Sequence, residues 1–160
     1  MRLEKEFRTS ISSPIGNIEI IANELAVKRI IFLKNKQKPT RSDLKKSKVL
    51  SSAVKQLKEY FSGNREFFDL PLFIKGTPMQ QKVWMQILEI PIGKTSSYKD
   101  ISKKIKKPNA YRAVGSAVGR NPLPIVIPCH RVIHSNGDIA GFTGGDDIKK
   151  KLLKLEGVIK

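Results

Sequence analysis

The sequence predicts an α+β protein of two domains, in which a small antiparallel sheet with one helix precedes a helical C-terminal half. Three observations support this class. The first third contains short β-branched segments, one amphipathic helical repeat follows, and the second half contains short helical segments separated by turns rich in Pro and Gly. The change of character at Lys75-Gly76-Thr77-Pro78 sets the predicted boundary. The domains are therefore expected to span 1–74 and 75–160.

The elements of the N-terminal domain follow from its hydrophobic pattern. β-branched, partly alternating segments predict strands at residues 6–11, 17–22 and 26–33. Residues 34–48 are polar and rich in lysine, which indicates a loop. Apolar residues then recur at helical spacing over 49–61, so we expect an amphipathic helix that ends at Gly63.

Short helices are predicted in the C-terminal half. They begin near Pro78, at Tyr98 and near Ala110, and the last two cover 98–106 and about 110–118. Thr77 is the expected cap of the first, and Ser96 or Ser97 of the second. Two short helices flank a tight turn at residues 107–109, and the second of them is basic. This pattern suggests a helix-turn-helix, and a plain helical pair is an equal alternative.

The charge of the chain indicates a polyanionic partner. The formal net charge is +17, and no acidic residue lies between Asp100 and Asp138. Nucleic acid is the simplest partner for such a zone. A generally lysine-rich composition is the alternative interpretation.

Several classes of protein are not expected from this composition. The sequence contains no run of eighteen apolar residues, so no membrane-spanning helix is expected. Its first residues are not expected to form a signal peptide. A single cysteine cannot form an internal disulfide, which fits a reducing cytosol. Because Cys129, His130 and His134 are the only soft ligands, a structural zinc site is not expected.

The single cysteine, Cys129, is the first candidate for chemistry. His130 and Arg131 follow it directly, and neighbouring positive charge lowers the pKa of a thiol. The sequence around Cys129 therefore predicts a reactive nucleophile. An inert cysteine in the core is the alternative, because free cysteines are often buried.

Residues 76–157 resemble the O6-alkylguanine-DNA alkyltransferases, a family of DNA-repair proteins. The resemblance is carried by several collinear motifs. They are Gly76-Thr77-Pro78-Met79-Gln80, Val83-Trp84, Ile90-Pro91-Ile92-Gly93-Lys94-Thr95, Ser97-Tyr98, Arg112-Ala113-Val114-Gly115, Asn121-Pro122, Ile127-Pro128-Cys129-His130-Arg131-Val132-Ile133, Gly144-Gly145 and Leu152-Leu153-Lys154-Leu155-Glu156-Gly157. The N-terminal half is similar to the small ribonuclease-H-like domain of the family only in outline.

The resemblance implies an irreversible alkyl transfer from O6 of guanine to the thiol of Cys129. In this interpretation His130 is the base, acting through a water, and Glu156 orients it. Tyr98 donates to the departing base, and Asn121 braces the active-site turn. The thioether product is not hydrolysed, so one molecule repairs one lesion, and neither a cofactor nor a metal is required.

The resemblance also implies that the substrate is duplex DNA, which a helix-turn-helix binds in the minor groove while the alkylated base is flipped out. Arg112 is the expected finger that fills the gap in the base stack. Tyr111 departs from the small residue common in the family, which leaves its groove contact open. The complete predicted DNA-binding set is Arg112, Ala110, Tyr111, Gly115, Ser116, Arg120, Thr95 and Ser97.

The expected pocket for the flipped base completes the predicted site. Its residues are Met79, Trp84, Val132, Phe142 and Thr143. Phe142 stands where the family commonly has tyrosine, and Thr143 stands at a serine-like position. His134 lies outside the motif and is interpreted as a surface histidine.

The chain is accordingly expected to be a cytoplasmic, monomeric methyltransferase of DNA repair, with O4-alkylthymine as a second candidate substrate. Three alternatives remain at this point. They are a damage sensor of the same fold, a helix-turn-helix regulator and a cysteine hydrolase. The presence of Cys129 disfavours the sensor, and the Pro-Cys-His-Arg context with Glu156 disfavours the regulator. The hydrolase is disfavoured by the lack of acyl-enzyme motifs.

Overall fold

The computed structural model of the protein describes residues 5–33, 42–139, 141–142 and 144–160. The chain divides into two compact units, Met1–Ile74 and Lys75–Lys160. The first contains an antiparallel sheet with a helix, and the second is mainly helical, so the predicted fold class is confirmed. None of the helices in these described stretches has the length and apolar character that a membrane span requires.

The N-terminal unit is a three-stranded antiparallel sheet with a helix. Its elements are β1 (Phe7–Ile11), β2 (Ile18–Ala22), β3 (Val27–Phe32) and α1 (Lys48–Phe61). The strands lie in the order β1-β2-β3, so that every residue of the central strand β2 is buried. Each strand is shorter than predicted by one or two residues at its ends.

The helix of this unit has the predicted amphipathic character. Ser47 caps α1 by accepting a hydrogen bond from the N–H of Leu50, and the buried stripe includes Leu50 and Leu57. The chain leaves the helix at Gly63, whose φ of 80° is the left-handed conformation that glycine adopts readily. Of the predicted loop at residues 34–48, residues 34–41 lie outside the described residues. The remainder forms a short 3₁₀ helix, Leu44–Lys46, and the start of α1.

The C-terminal unit combines four helices with two very short strands among its described residues. The elements are α2 (Pro78–Leu88), β4 (Ser96–Ser97), α3 (Tyr98–Lys104), α4 (Tyr111–Gly119), β5 (Val132–Ile133) and α5 (Asp146–Leu155). A 3₁₀ turn, Cys129–Arg131, directly precedes β5. Strands β4 and β5 pair in parallel, with Ser96 opposite Val132 and Ser97 opposite Ile133. Two residues are too few to give a strand pattern, so the sequence did not predict this pairing.

Helix α2 begins with a capping box. The hydroxyl of Thr77 accepts from the N–H of Gln80 at 3.1 Å, and the Gln80 side chain accepts from the N–H of Thr77 at 3.0 Å. Trp84 of this helix is 2% exposed and donates its indole N–H to the carbonyl of Ala117 at 2.8 Å. That bond fixes α2 against α4.

Helix α3 ends two residues earlier than predicted. Lys106 has a φ of 62°, and the N–H of Lys107 donates to the carbonyl of Ser102 at 2.9 Å, which closes the helix. The buried hydroxyl of Ser102 contacts the carbonyls of Lys99 and Pro108 at 2.7 and 3.3 Å. These contacts fix the turn between α3 and α4.

Gly76 is required by the close approach of Trp84. A Cβ atom at residue 76 would lie 2.6 Å from Cζ3 of Trp84. Such overpacking costs about 1–3 kcal/mol. We therefore expect Gly76→Ala to lower the free energy of unfolding by that amount, measured by urea denaturation.

Gly115→Ala is the matched control, because a Cβ there would lie 4.0 Å from its nearest neighbour and alanine favours helix by up to about 1 kcal/mol. Equal denaturation midpoints for the two variants would contradict this account of Gly76.

Candidate active site

Cys129 lies in a turn that proline sets up. Pro128 has φ −79° and ψ 66°, and the N–H of Cys129 donates across it to the carbonyl of Ile127 at 2.7 Å. This is the geometry of an inverse γ-turn, which the fixed φ of proline favours. A 3₁₀ turn starts at Cys129, so the backbone is constrained on both sides of this residue and the direction of its side chain is fixed. Cys129 as a whole is 4% exposed.

Asn121 braces this turn from the preceding segment. Its amide N–H donates to the carbonyl of Ile127 at 2.8 Å, and its Oδ1 accepts from the N–H of Leu123 at 2.9 Å. The same side chain also acts on the sulfur, because it lowers the pKa of the Cys129 thiol. Asn121 therefore holds the backbone of the turn and also favours the thiolate of Cys129.

His130 and Arg131 share one buried carboxylate. Nε2 of His130 lies 2.6 Å from Oε2 of Glu156. Arg131 donates from Nε to Oε1 at 2.7 Å and from Nη2 to Oε2 at 2.9 Å. Its Nη1 donates to the carbonyl of Ile90 at 2.7 Å, just beyond α2. Glu156 thus links the end of α5 to the cysteine turn and, through Arg131, to the end of α2.

The arrangement around His130 defines its tautomer. Burial lowers the pKa of this imidazole, although Glu156 acts in the opposite direction. A neutral ring beside a carboxylate donates its N–H to that carboxylate, here from Nε2, which leaves Nδ1 as the unprotonated nitrogen. Nδ1 is buried and has no hydrogen-bond partner among the described residues. His130 is therefore placed to accept a proton at Nδ1.

The pKa of the thiol is set by burial and not by its neighbours in sequence. Burial raises the pKa of Cys129 to about 11, and the opposing contributions come from Asn121, the charge of Lys149 and backbone N–H groups. The expectation that the side-chain charges of His130 and Arg131 would lower this pKa was wrong, because both side chains turn towards Glu156 and His130 acts only through its backbone. The cation that stabilises the thiolate comes from α5.

Lys149 is the residue that sequence reasoning missed. It is only 1% exposed, its Nζ donates to the carbonyl of Val132 at 2.7 Å, and burial lowers its pKa. One signal was present in the sequence. Lys149 precedes Leu152, Leu153 and Glu156 by three, four and seven residues, which is the spacing of one helix face.

Tyr98 is the first residue of α3 and is half-buried. Burial, and then the charge of Cys129, raise the pKa of the phenol, so it is protonated at neutral pH and lies within the field of the thiol. Its ring lies near the backbone of α4, where a Cβ added at Gly115 would lie 4.0 Å from Cδ1. The ring of His134 packs on it with a centroid distance of 4.9 Å. His134 is exposed as expected, and this contact was not foreseen.

The residues predicted to form the base pocket occupy different environments. Val132 is fully buried beside the cysteine turn, and Trp84 is buried between α2 and α4, where it packs the helices together. Met79 and Phe142 are half-buried. Thr143 lies outside the described residues.

The residues predicted to bind DNA lie mostly on the surface of the α3–α4 region. Arg112, Tyr111, Ser116, Arg120 and Thr95 are exposed, whereas Ala110, Gly115 and Ser97 are half-buried. The hydroxyl of Ser97 is used as the cap of α3, where it accepts from the N–H of Asp100 at 3.0 Å. Lys103, Lys104, Lys106 and Lys107 are also exposed, so this surface is strongly basic.

Comparison with known proteins identifies the family. The model described as the 6-O-methylguanine DNA methyltransferase ribonuclease-like domain matches residues 7–74, and the DNA binding domain of the same description matches residues 78–158. The methylated-DNA–protein-cysteine methyltransferase of Methanosarcina barkeri is 49% identical, covering 91% of this chain and 94% of its own. The constitutive enzyme of that name from Bacillus subtilis is 40% identical, covering 94% of each chain.

A solved structure agrees with these relatives. The crystal structure of OGT from Mycobacterium tuberculosis in complex with DNA has a TM-score of 0.83 and 40% identity, covering 93% of this chain and 91% of its own. The two family models together span nearly the whole chain. The chain therefore belongs to the family of methylated-DNA–protein-cysteine methyltransferases.

Proposed function

We propose that this protein repairs O6-alkylguanine in duplex DNA by transferring the alkyl group to Cys129. The observation that carries the proposal is the buried series Cys129, His130 and Glu156, in which Nε2 of the histidine is fixed by the carboxylate and Nδ1 is left as the base. A nucleophile, a base and a group that orients the base are the parts that nucleophilic catalysis requires.

The proposed reaction is a single displacement. His130 takes the thiol proton at Nδ1, through a water as the family resemblance implies. The thiolate sulfur then bonds to the alkyl carbon, the bond from that carbon to O6 breaks, and the electron pair leaves with the guanine. Tyr98 donates its phenolic proton to the departing base, and the proton held on His130 returns to the phenolate through solvent.

The product of this step explains why the protein would act once. The alkyl group remains on Cys129 as a thioether, which lacks the reactive acyl carbon of a thioester and is not hydrolysed. The displacement needs no external oxidant or reductant, and the lesion itself supplies the alkyl group, so the step balances without a redox cofactor or a separate alkyl donor. The alkylated protein is the end point, and each molecule repairs one lesion.

Burial and the neighbouring polar groups have opposing effects on the ionisation of the Cys129 thiol. Burial disfavours the anion and protects the sulfur in the free protein, whereas Asn121 and Lys149 favour the thiolate. Deprotonation then depends on His130, which burial keeps neutral and Glu156 orients. Asn121 is the brace that keeps the sulfur in place during the displacement.

Recognition of DNA is assigned to α3, α4 and the turn between them, acting as a helix-turn-helix. The exposed guanidinium of Arg112 enters the base stack, and small residues of α4 let the helix approach the minor groove. Ala110, Tyr111, Gly115, Ser116, Arg120, Thr95 and Ser97 complete the proposed DNA-binding set. The exposed lysines of α3 supply contacts to phosphates, which carry no sequence information.

The flipped base is received beside the cysteine turn. Val132, Phe142 and Met79 form its apolar surroundings, Thr143 supplies a backbone N–H to O6, and Trp84 supports these residues from the helix packing. The same pocket would accept O4-alkylthymine, which presents a similar alkyl-oxygen group.

The two domains have different roles in this proposal. Residues 75–160 carry out the transfer, and residues 1–74 form a supporting domain. The protein acts as a monomer in the cytoplasm.

The central prediction is a covalent product of defined stoichiometry. Incubation with a duplex that contains O6-methylguanine should add the mass of one methylene group to the protein, located on Cys129 and saturating at one equivalent. Intact-mass spectrometry and peptide mapping measure this outcome. Cys129→Ser should abolish transfer and retain lesion binding. Repeated turnover, or an adduct at another residue, would refute the mechanism.

Lys149→Gln tests the charge that stabilises the thiolate. Removing a cation disfavours the anion, so the pKa of Cys129 should rise and the thiolate fraction at a given pH should fall. A shift of about one pH unit would slow modification by iodoacetamide about tenfold at fixed pH below the pKa. The pH–rate profile should move to higher pH. Lys151→Gln, at an exposed position of the same helix, is the control, and an equal shift in both variants would contradict the assignment.

Arg112→Ala tests the proposed finger. Because unstacking a base costs a few kcal/mol, loss of the residue that fills the gap should slow transfer from duplex DNA by about 10- to 100-fold. Transfer from free O6-benzylguanine, which needs no flipping, should change far less. Arg120→Ala is the comparison, expected mainly to weaken binding and to reduce its salt dependence. Equal losses on duplex and free base would contradict the proposed role of Arg112.

A further inference from the structure

The parallel pairing of β4 with β5 brings two aromatic side chains together. Ser97 lies opposite Ile133, so the residues that follow them, Tyr98 and His134, leave the pair side by side. Their ring centroids are 4.9 Å apart and the ring planes are tilted by 43°. This is a favourable geometry for an aromatic pair.

The backbone beneath His134 is held firmly although its side chain is exposed. The N–H of His134 donates to the carbonyl of Asp138 at 2.9 Å, and its carbonyl accepts from the N–H of Gly137 at 2.9 Å. The side chain of Asn136 accepts from the N–H of Asp138 at 2.9 Å, and Gly137 adopts the φ of 89° that the turn requires. The imidazole therefore projects from a closed turn attached directly to β5 and the cysteine turn.

Tyr98 depends on packing for its orientation. Its hydroxyl makes no hydrogen bond within the described part of the chain, so no polar contact there fixes the ring. On one side the ring lies near Gly115 of α4, where the missing Cβ leaves room, and His134 lies against it as well. Tyr98 is also the first residue of α3, which Ser97 caps.

We propose that His134 is a positioning residue for the alkyl transfer, acting through Tyr98. Its ring packs on the phenol and holds the hydroxyl where the departing guanine needs a donor. This inference rests on the proposed function and on the role assigned to Tyr98 within it. His134 itself touches neither the sulfur nor the alkyl carbon.

The aromatic contact sets the size of the expected effect. One aromatic pair changes a rate by about two- to tenfold when it contributes fully in the transition state. The loss should appear in the transfer step and not in the binding of lesion DNA, because the contact orients a donor to the leaving base.

A double-mutant cycle tests the proposal. His134→Ala, Tyr98→Phe and the double variant are compared with the unmodified protein in single-turnover transfer from a duplex that contains O6-methylguanine. Binding of the same duplex is measured in the Cys129→Ser background. We expect His134→Ala to slow transfer about two- to tenfold with unchanged binding, and to have no further effect once Tyr98 is phenylalanine.

His134→Phe is the matched variant, because it keeps an aromatic ring and removes both nitrogen atoms. It should restore the rate that His134→Ala loses. The proposal would be overturned by an unchanged rate in His134→Ala, by a loss in His134→Phe equal to that in His134→Ala, or by an additive loss in the double variant. Tyr98→Phe without effect would also overturn it. Absence of any adduct on Cys129 in the unmodified protein would instead refute the proposed function.

Discussion

The carboxylate of Glu156 is the contact on which the C-terminal unit depends. It accepts hydrogen bonds from His130 and Arg131 while none of the three side chains is more than slightly exposed. An arginine remains protonated in proteins, so the acid beside it is held as a carboxylate. Removing one partner of a buried pair leaves an uncompensated charge and costs about 3–5 kcal/mol. Because Arg131 also donates to the carbonyl of Ile90, the same cluster joins α5, the cysteine turn and the end of α2.

This cluster makes the stability of the fold and the chemistry of the site inseparable. The hydrogen bond that fixes His130 against α5 also determines which of its nitrogens is free. The burial that the cluster creates raises the pKa of Cys129, and Lys149 from the same helix opposes that effect.

Ile125 lowers the stability of the fold locally, because a β-branched residue with a φ of 75° has a strained backbone. That residue is buried in the segment between Asn121 and the cysteine, where tertiary packing holds it in place.

Local chemistry made much of this architecture predictable from the sequence. Thr77 and Ser97 cap the helices predicted to follow them, and Gly63 lies where the first helix ends, because capping depends on residues within one turn. The parts that failed depend on contacts distant in sequence. Strands β4 and β5 are each two residues long, so no alternation of apolar and polar residues could predict their pairing. Lys149 resembles the other lysines of α5 until packing buries it. The contact between Tyr98 and His134 depends on that same short pair.

The tautomer of His130 decides whether this histidine can act as the base for Cys129. The sequence contains only two histidines, so ¹⁵N NMR of histidine-labelled protein gives two imidazoles, and His134→Phe assigns them. We expect the free protein near neutral pH to hold His130 as a neutral ring, with hydrogen on Nε2 and a pyridine-type Nδ1. A ring with hydrogen on Nδ1, or on both nitrogens, would contradict it, because His130 would then have no nitrogen free to take the thiol proton.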